Sequence, residues 1–92
     1  MVDENFSTTG TVTPPQVRAA RAWLNWSQQD LANATLVARR AIQEFELGKR
    51  DAQPRTLKDL REALEKEGIT FLFIGGHAVG ICAKEKKNTS GS

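Results

Sequence analysis

One stretch of the 92-residue sequence limits the folds open to all the rest. Ile69-Thr-Phe-Leu-Phe-Ile74 is β-branched and aromatic, Gly75-Gly76 is a hairpin-turn dipeptide, and His77-Ala-Val-Gly-Ile-Cys82 can return as a second strand. A lone two-stranded ribbon is marginal in water, and Phe71, Leu72, Phe73 and Ile74 leave neither face polar, so both faces need cover. The remaining chain can cover one face with helices, and a second copy of the chain can cover the other.

The helices follow from apolar spacing and punctuation. Thr13-Pro14-Pro15-Gln16 offers a hydroxyl N-cap, a proline where no N–H is missed and a glutamine that can reach back, as in a capping box. Val17, Ala20 and Leu24 then share one face of a first helix running to about Leu24, with Arg18 and Arg21 pointing elsewhere. Asn25-Trp26 breaks the pattern. Ser27 with Asp30 caps a second short helix, about Gln28 to Ala34, that turns Leu31 and Ala32 inward. After Thr35-Leu36-Val37 a third helix is expected over about Ala38 to Leu47, ended by Gly48. A fourth, capped by Thr56, carries Leu57, Leu60, Ala63 and Leu64 and stops at Gly68.

The expected organisation is therefore mainly α: a flexible N-terminal arm (1–12), a compact four-helix domain (13–68), a C-terminal β-hairpin (69–83) and a disordered tail (84–92). The arm is rich in Thr, Ser, Asp and Asn with no apolar period. The tail, with Lys84, Lys86 and Lys87, is a solvated basic end.

At 39% hydrophobic and 26% charged residues, the composition is that of one small soluble domain. Its single cysteine, Cys82, has no internal partner, and one histidine cannot complete a metal-ligand set. No nucleophile, base and orienting group assemble from these residues, so neither an enzyme nor a cofactor is expected, and no small-molecule ligand is indicated. His77 and Cys82 are taken as strand or loop residues, and Trp23 and Trp26 as packing residues beside the helical core. With no signal peptide and no membrane-length apolar run, the expected location is the reducing cytoplasm.

The net charge of +2 is mild but unevenly placed. Between Pro14 and Arg50 six basic residues (Arg18, Arg21, Arg39, Arg40, Lys49, Arg50) face three acidic ones (Asp30, Glu44, Glu46), whereas residues 51–92 hold seven and six. On a helical wheel Ala38, Ala41, Ile42 and Phe45 share one side of the third helix, and Arg39, Arg40, Gln43 and Leu47 the other. Arg39 and Arg40 then lie in the first turn, where the helix dipole disfavours each exposed cation by roughly 0.3–1 kcal/mol. A polyanion against that end reverses the preference, because amides and guanidinium groups alike would face phosphates or guanine acceptor edges. The simpler use of the same residues is a solvated face, with Arg40 paired to Glu44.

The run WLNWSQQDLANATLVARRAIQEFELGKRDAQPRTLKDLREALEKEGITF, with Trp-Ser-Gln before Leu-Ala, Val then Arg-Arg, Ile, Phe-Glu, Gly-Lys-Arg and a Thr-Leu-capped helix, resembles the Xre/Cro family of phage-repressor-like helix-turn-helix regulators. The resemblance covers about residues 14–71. It implies a compact helical domain whose third helix enters the major groove of double-stranded DNA, commonly as a homodimer. By position, it implies base contacts from Arg39, Arg40 and Gln43, and phosphate contacts from Gln28, Lys49 and Arg50. Leu47, also outward, is a candidate for a thymine methyl. The hairpin, through Ile69, Phe71 and Phe73, is the expected dimerisation element.

The implied function is a sequence-specific transcriptional regulator, a repressor on an inverted-repeat operator, cytoplasmic and nucleoid-associated, of bacterial or phage type. The alternative is a protein-binding module of the same fold, an antiactivator or antitoxin working through the hairpin. The sequence departs from the family pattern at two positions. Where the family usually has a turn glycine stands Leu36, and where it has a serine or threonine cap stands Ala38. Either the turn is rearranged, with Thr35 capping an earlier helix start, or it holds a strained leucine.

Overall fold

Proline, asparagine, serine and glycine place the breaks between elements. The computed structural model describes residues 6–84 and runs α1 (Pro14–Leu24), α2 (Gln28–Thr35), α3 (Arg39–Glu46), α4 (Pro54–Lys66), β1 (Ile69–Ile74) and β2 (His77–Ala83). Pro14 opens α1 at a position where a missing N–H costs nothing, and Asn25 ends it in the left-handed region at φ 59°. Ser27 and Asp30 close a complete capping box on α2, with bonds of 3.0 and 2.9 Å in the two directions. The fourth helix begins earlier than its Thr56 cap signal implied. Pro54 occupies the first turn and Gln53 is the N-cap, because the fixed φ of proline extends the helix upstream.

Val17, Ala20, Leu31, Ala32, Ile42, Phe45, Leu60 and Leu64 form the helical part of one core, as their spacing predicts. Ala38 and Ala41 do not join it. They stand exposed at the start of α3, whose inward edge is Ile42, Phe45 and Glu46. Burial in this eight-residue helix begins only at its fourth residue, Ile42, so its first three residues project outward.

The hairpin is antiparallel, from Ile69 opposite Ala83 to Ile74 opposite His77, and is closed by Gly75 and Gly76, both at positive φ as the tight two-residue turn requires. A bulge lies between Leu72 and Phe73, so that Leu72 opposes Gly80 while Phe73 opposes Ala78. Gln16 of α1, itself buried, clamps this bulge. Its Nε2 donates to the carbonyls of Leu72 at 3.1 Å and Gly80 at 3.0 Å, while its Oε1 accepts from the Thr13 N–H at 3.0 Å.

Ile69, Phe71 and Phe73 all point toward the helices and are buried in the chain's own core. They cannot form the dimerisation surface expected of them. Side chains alternate along a strand, and the helical domain takes the face that carries this set. Thr70, Leu72 and Ile74 hold the opposite face.

The expected flexible arm also needs correction over its described part. Ser7 pairs with Phe73 through two 2.8 Å backbone hydrogen bonds, Val12 is buried, and Arg61 of α4 donates to the carbonyls of Gly10 at 3.1 Å and Thr8 at 2.6 Å. The same guanidinium lies over the rings of Phe71 and Phe73, 5.9 and 5.7 Å from their centroids. One bridge, one valine and the two bonds from Arg61 hold this segment, and only the valine is apolar, too little to leave an apolar period in the sequence. Residues 1–5 and 85–92, including Lys86 and Lys87, lie outside the described residues; Lys84 donates its N–H to Gly68 at 2.9 Å.

Candidate nucleic-acid interface

The segment joining α2 to α3 keeps a left-handed residue. Leu36 adopts φ 69° and ψ 8°, its N–H bonds the Ala32 carbonyl at 3.0 Å, and its side chain is 98% exposed. Thr35 does not cap α3. Its hydroxyl donates to the Leu31 carbonyl at 2.8 Å and accepts from the Val37 N–H at 3.1 Å, which secures the turn from inside. Ala38 is the N-cap of α3 and supplies no side-chain bond. Of the two geometries the departures left open, the chain adopts the strained turn.

From this turn α3 presents an outward face. Arg39, Arg40, Gln43 and Leu47 are all exposed, as are Lys49 and Arg50 just beyond the helix. Gly48, at φ 73°, ends α3 in a Schellman motif: its N–H bonds Phe45 at 2.9 Å, and the Lys49 N–H bonds Glu44 at 3.0 Å. That motif fixes the direction in which Lys49 and Arg50 leave the helix. Arg39 makes no ion pair among the described residues, whereas Glu44 accepts from Arg40 at 3.4 Å and lies 3.8 Å from Arg50.

Behind that face a polar brace sets the angle of α3. Glu46, only 3% exposed, receives Arg21 through two bonds of 2.8 Å and Gln28 through one of 3.1 Å. Arg21 also donates to the Trp26 carbonyl at 2.9 Å, and Arg18 donates to the Glu46 carbonyl. Donation to the Glu46 carboxylate, which outweighs partial burial, holds the Arg21 guanidinium above its ordinary pKa. Gln28 therefore joins the N-terminus of α2 to the end of α3. Its amide nitrogen has a second N–H beyond the one bound to Glu46.

A family model for helix-turn-helix domains of the Cro/C1 type matches residues 17–71. The chain belongs to the Xre-like helix-turn-helix family. It is a family of DNA-binding transcription regulators, generally without enzymatic activity. The match runs from within α1 to the start of β1, so every residue of the brace and of the outward face lies within the helix-turn-helix domain. No curated protein matches the sequence.

Sequence reasoning singled out the outward side chains of this domain but missed what holds them. Arg18 and Arg21 counted only as basic residues, and Glu46 as one acid among three. The signal was on the wheel: Glu46 follows Ile42 by four residues, and a carboxylate on that inward line needs a cationic partner. Trp23 is 63% exposed rather than packed, while Trp26 does pack against the core. His77 and Cys82 are exposed on the hairpin. Among the described residues no group of His, Cys, Asp and Glu is placed to hold a metal, and no helix is long and apolar enough to cross a membrane.

Proposed function

We propose that the protein is a sequence-specific transcriptional repressor that occupies an inverted-repeat operator as a homodimer. The observation that carries the reading is the exposed first turn of α3, which places Arg39 and Arg40 beside unpaired helix amides with no cap side chain from Ala38. In isolation that arrangement is unfavourable; against a duplex, dipole, amides and guanidinium groups all attract the same partner. Arg39, Arg40 and Gln43 read base edges, and Lys49, Arg50 and the free N–H of Gln28 hold the backbone. For the antiactivator or antitoxin alternative, a rearranged turn would be a mark of weakened DNA binding. With Leu36 in the conformation a turn glycine provides, that motive is lost.

Support for a homodimer comes from the hairpin's second face. From Ile69 to Ala83 the sequence has no Asp, Glu, Lys or Arg, and Leu72, Ile74 and Val79 lie at least partly accessible on the strands. A neutral apolar surface meets its own copy across a two-fold axis without like-charge repulsion, and interface centres are depleted of charge. Two copies would address half-sites about 34 Å apart.

Selection from a random duplex library tests the reading, first with the native protein and then with the Arg39→Ala, Arg40→Ala variant. The native protein is expected to enrich an inverted repeat and the variant to lose it. A motif that survives the double substitution removes these arginines from base readout.

A further inference from the structure

α3 carries two carboxylates with opposite placements. Glu46 is buried in the brace, whereas Glu44 is turned outward with 28% of its side chain exposed. Glu44 divides its two oxygens between two arginines: Oε2 lies 3.4 Å from Nε of Arg40, and Oε1 lies 3.8 Å from Nε of Arg50. Arg40 is one turn earlier on the same helix, but Arg50 belongs to the segment after Gly48, so an ordinary pair along one helix does not account for the arrangement. Both contacts are made at Nε. The terminal nitrogens of the two guanidinium groups, which form the fork that pairs with guanine or phosphate, have no hydrogen-bond partner among the described residues.

A carboxylate on a surface that meets phosphates weakens attraction to every duplex, whatever its sequence. With Nε nearest Glu44, however, each arginine keeps its terminal nitrogens unpaired, and attraction to the shared carboxylate narrows its range before the duplex arrives, which favours only a correctly placed acceptor. Resting on the DNA-binding reading above, we propose that Glu44 is a positioning residue for that readout. It aims Arg40 and Arg50 together, and it raises the ratio of operator binding to sequence-independent binding. Glu44 therefore acts through the two arginines.

The test measures fluorescence anisotropy titrations of the native protein, Glu44→Ala and Glu44→Gln against the selected operator and a scrambled duplex over a range of salt concentrations, with thermal denaturation of each protein. Glu44→Ala is expected to bind the scrambled duplex more tightly while its operator-to-scrambled ratio falls by roughly tenfold, within the range of one good base contact. Its salt slope should steepen by about one, since removing one carboxylate releases one unit of positive charge from internal compensation. Glu44→Gln, which keeps an acceptor without the charge, should tighten scrambled binding similarly but lose less of the ratio. Ratios unchanged in both variants overturn the proposal, even if the melting temperature falls, because a purely structural pair would change stability alone. A native protein that prefers no sequence overturns the regulator reading itself, which is a separate outcome.

Discussion

Arg21 of α1 and Glu46 of α3 face each other in a two-pronged ion pair, with Nε and Nη2 each 2.8 Å from a separate carboxylate oxygen. Gln28 adds a third bond to the same carboxylate, so the first helix, the start of the second and the end of the third meet at one group. The outward side of α3 is thus oriented from behind by Arg21 and Glu46, neither of which lies on that side.

Removing one member should be costly, because the other is left partly desolvated without its charge partner. Glu46→Ala is expected to lower stability by about 3 kcal/mol, the low end for a broken buried pair because Arg21 is partly exposed. For a domain of this size that is a fall of roughly 10–20 °C in Tm. Replacing the whole pair with Arg21→Met and Glu46→Leu should recover much of the loss while still impairing operator binding, since apolar packing does not reproduce the angle. Urea denaturation of the single and double variants checks this, and a loss below about 1 kcal/mol in Glu46→Ala contradicts the brace. The pair adds no pH dependence from its cation near neutrality. A folded pKa raised above the unfolded one gives stability that is complete below the unfolded value, and for Arg21 both lie in the arginine range.

Leu36 and Ala38 give a prediction of opposite sign. A leucine at φ 69° carries about 1–2 kcal/mol of backbone strain, and its nearly full exposure means that no packing is lost with the side chain. Glycine returns part of that gain through its freer unfolded chain, leaving about 0.5–1 kcal/mol. Serine at position 38 supplies the missing cap bond, worth about 1 kcal/mol. Leu36→Gly with Ala38→Ser should therefore raise Tm by roughly 5–15 °C in a calorimetric scan. No increase would mean that the leucine at this turn carries no net strain.

Gln16 offers a third test, on the join between helix and hairpin. Gln16→Ala removes the donor that serves the carbonyls of Leu72 and Gly80, at a cost of about 1–2 kcal/mol. The effect should be concentrated at the bulge, with amide signals of residues 79 to 82 shifting more than those of α3. A uniform shift across the domain would place the role of Gln16 in α1 rather than in the clamp.

Much of this architecture is written in short-range signals. Ser27 and Asp30, Gly48, and Gly75-Gly76 each act within a few residues, and the break or cap that each implies is found where the sequence puts it. Which hairpin face meets the helices was not legible, because Phe71 and Phe73 on one side and Leu72 and Ile74 on the other are alike in hydrophobicity. The choice falls to contacts from residues far away, Gln16 at the bulge and Arg61 over the rings. At the candidate interface, exposure of Arg39, Arg40 and Gln43 followed from the helical period, whereas the carboxylates did not. Glu44 and Glu46 differ by two positions, and only the packing of α1 and the path after Gly48 bury one in the brace and leave the other half-buried beside two arginines.

The N-terminal segment supplies the last prediction. Gly10 lies directly against the Phe73 ring, and a Cβ built there would come within 2.3 Å of it. The ring is buried and has no room to withdraw, so Gly10→Ala must move the segment. Ser7 lies three residues away and holds the segment to β1 through the Phe73 N–H and carbonyl, each at 2.8 Å, so its displacement should expose that amide. Hydrogen exchange at Phe73 is accordingly expected to speed up by about tenfold or more in Gly10→Ala, while amides of α2 and α3 change little. Arg61→Ala, which removes the donors to Thr8 and Gly10 without any clash, should have the same pattern in weaker form. If Phe73 stays equally protected in both variants, the Ser7 bridge does not contribute to holding the hairpin, and the segment is only a passive cover.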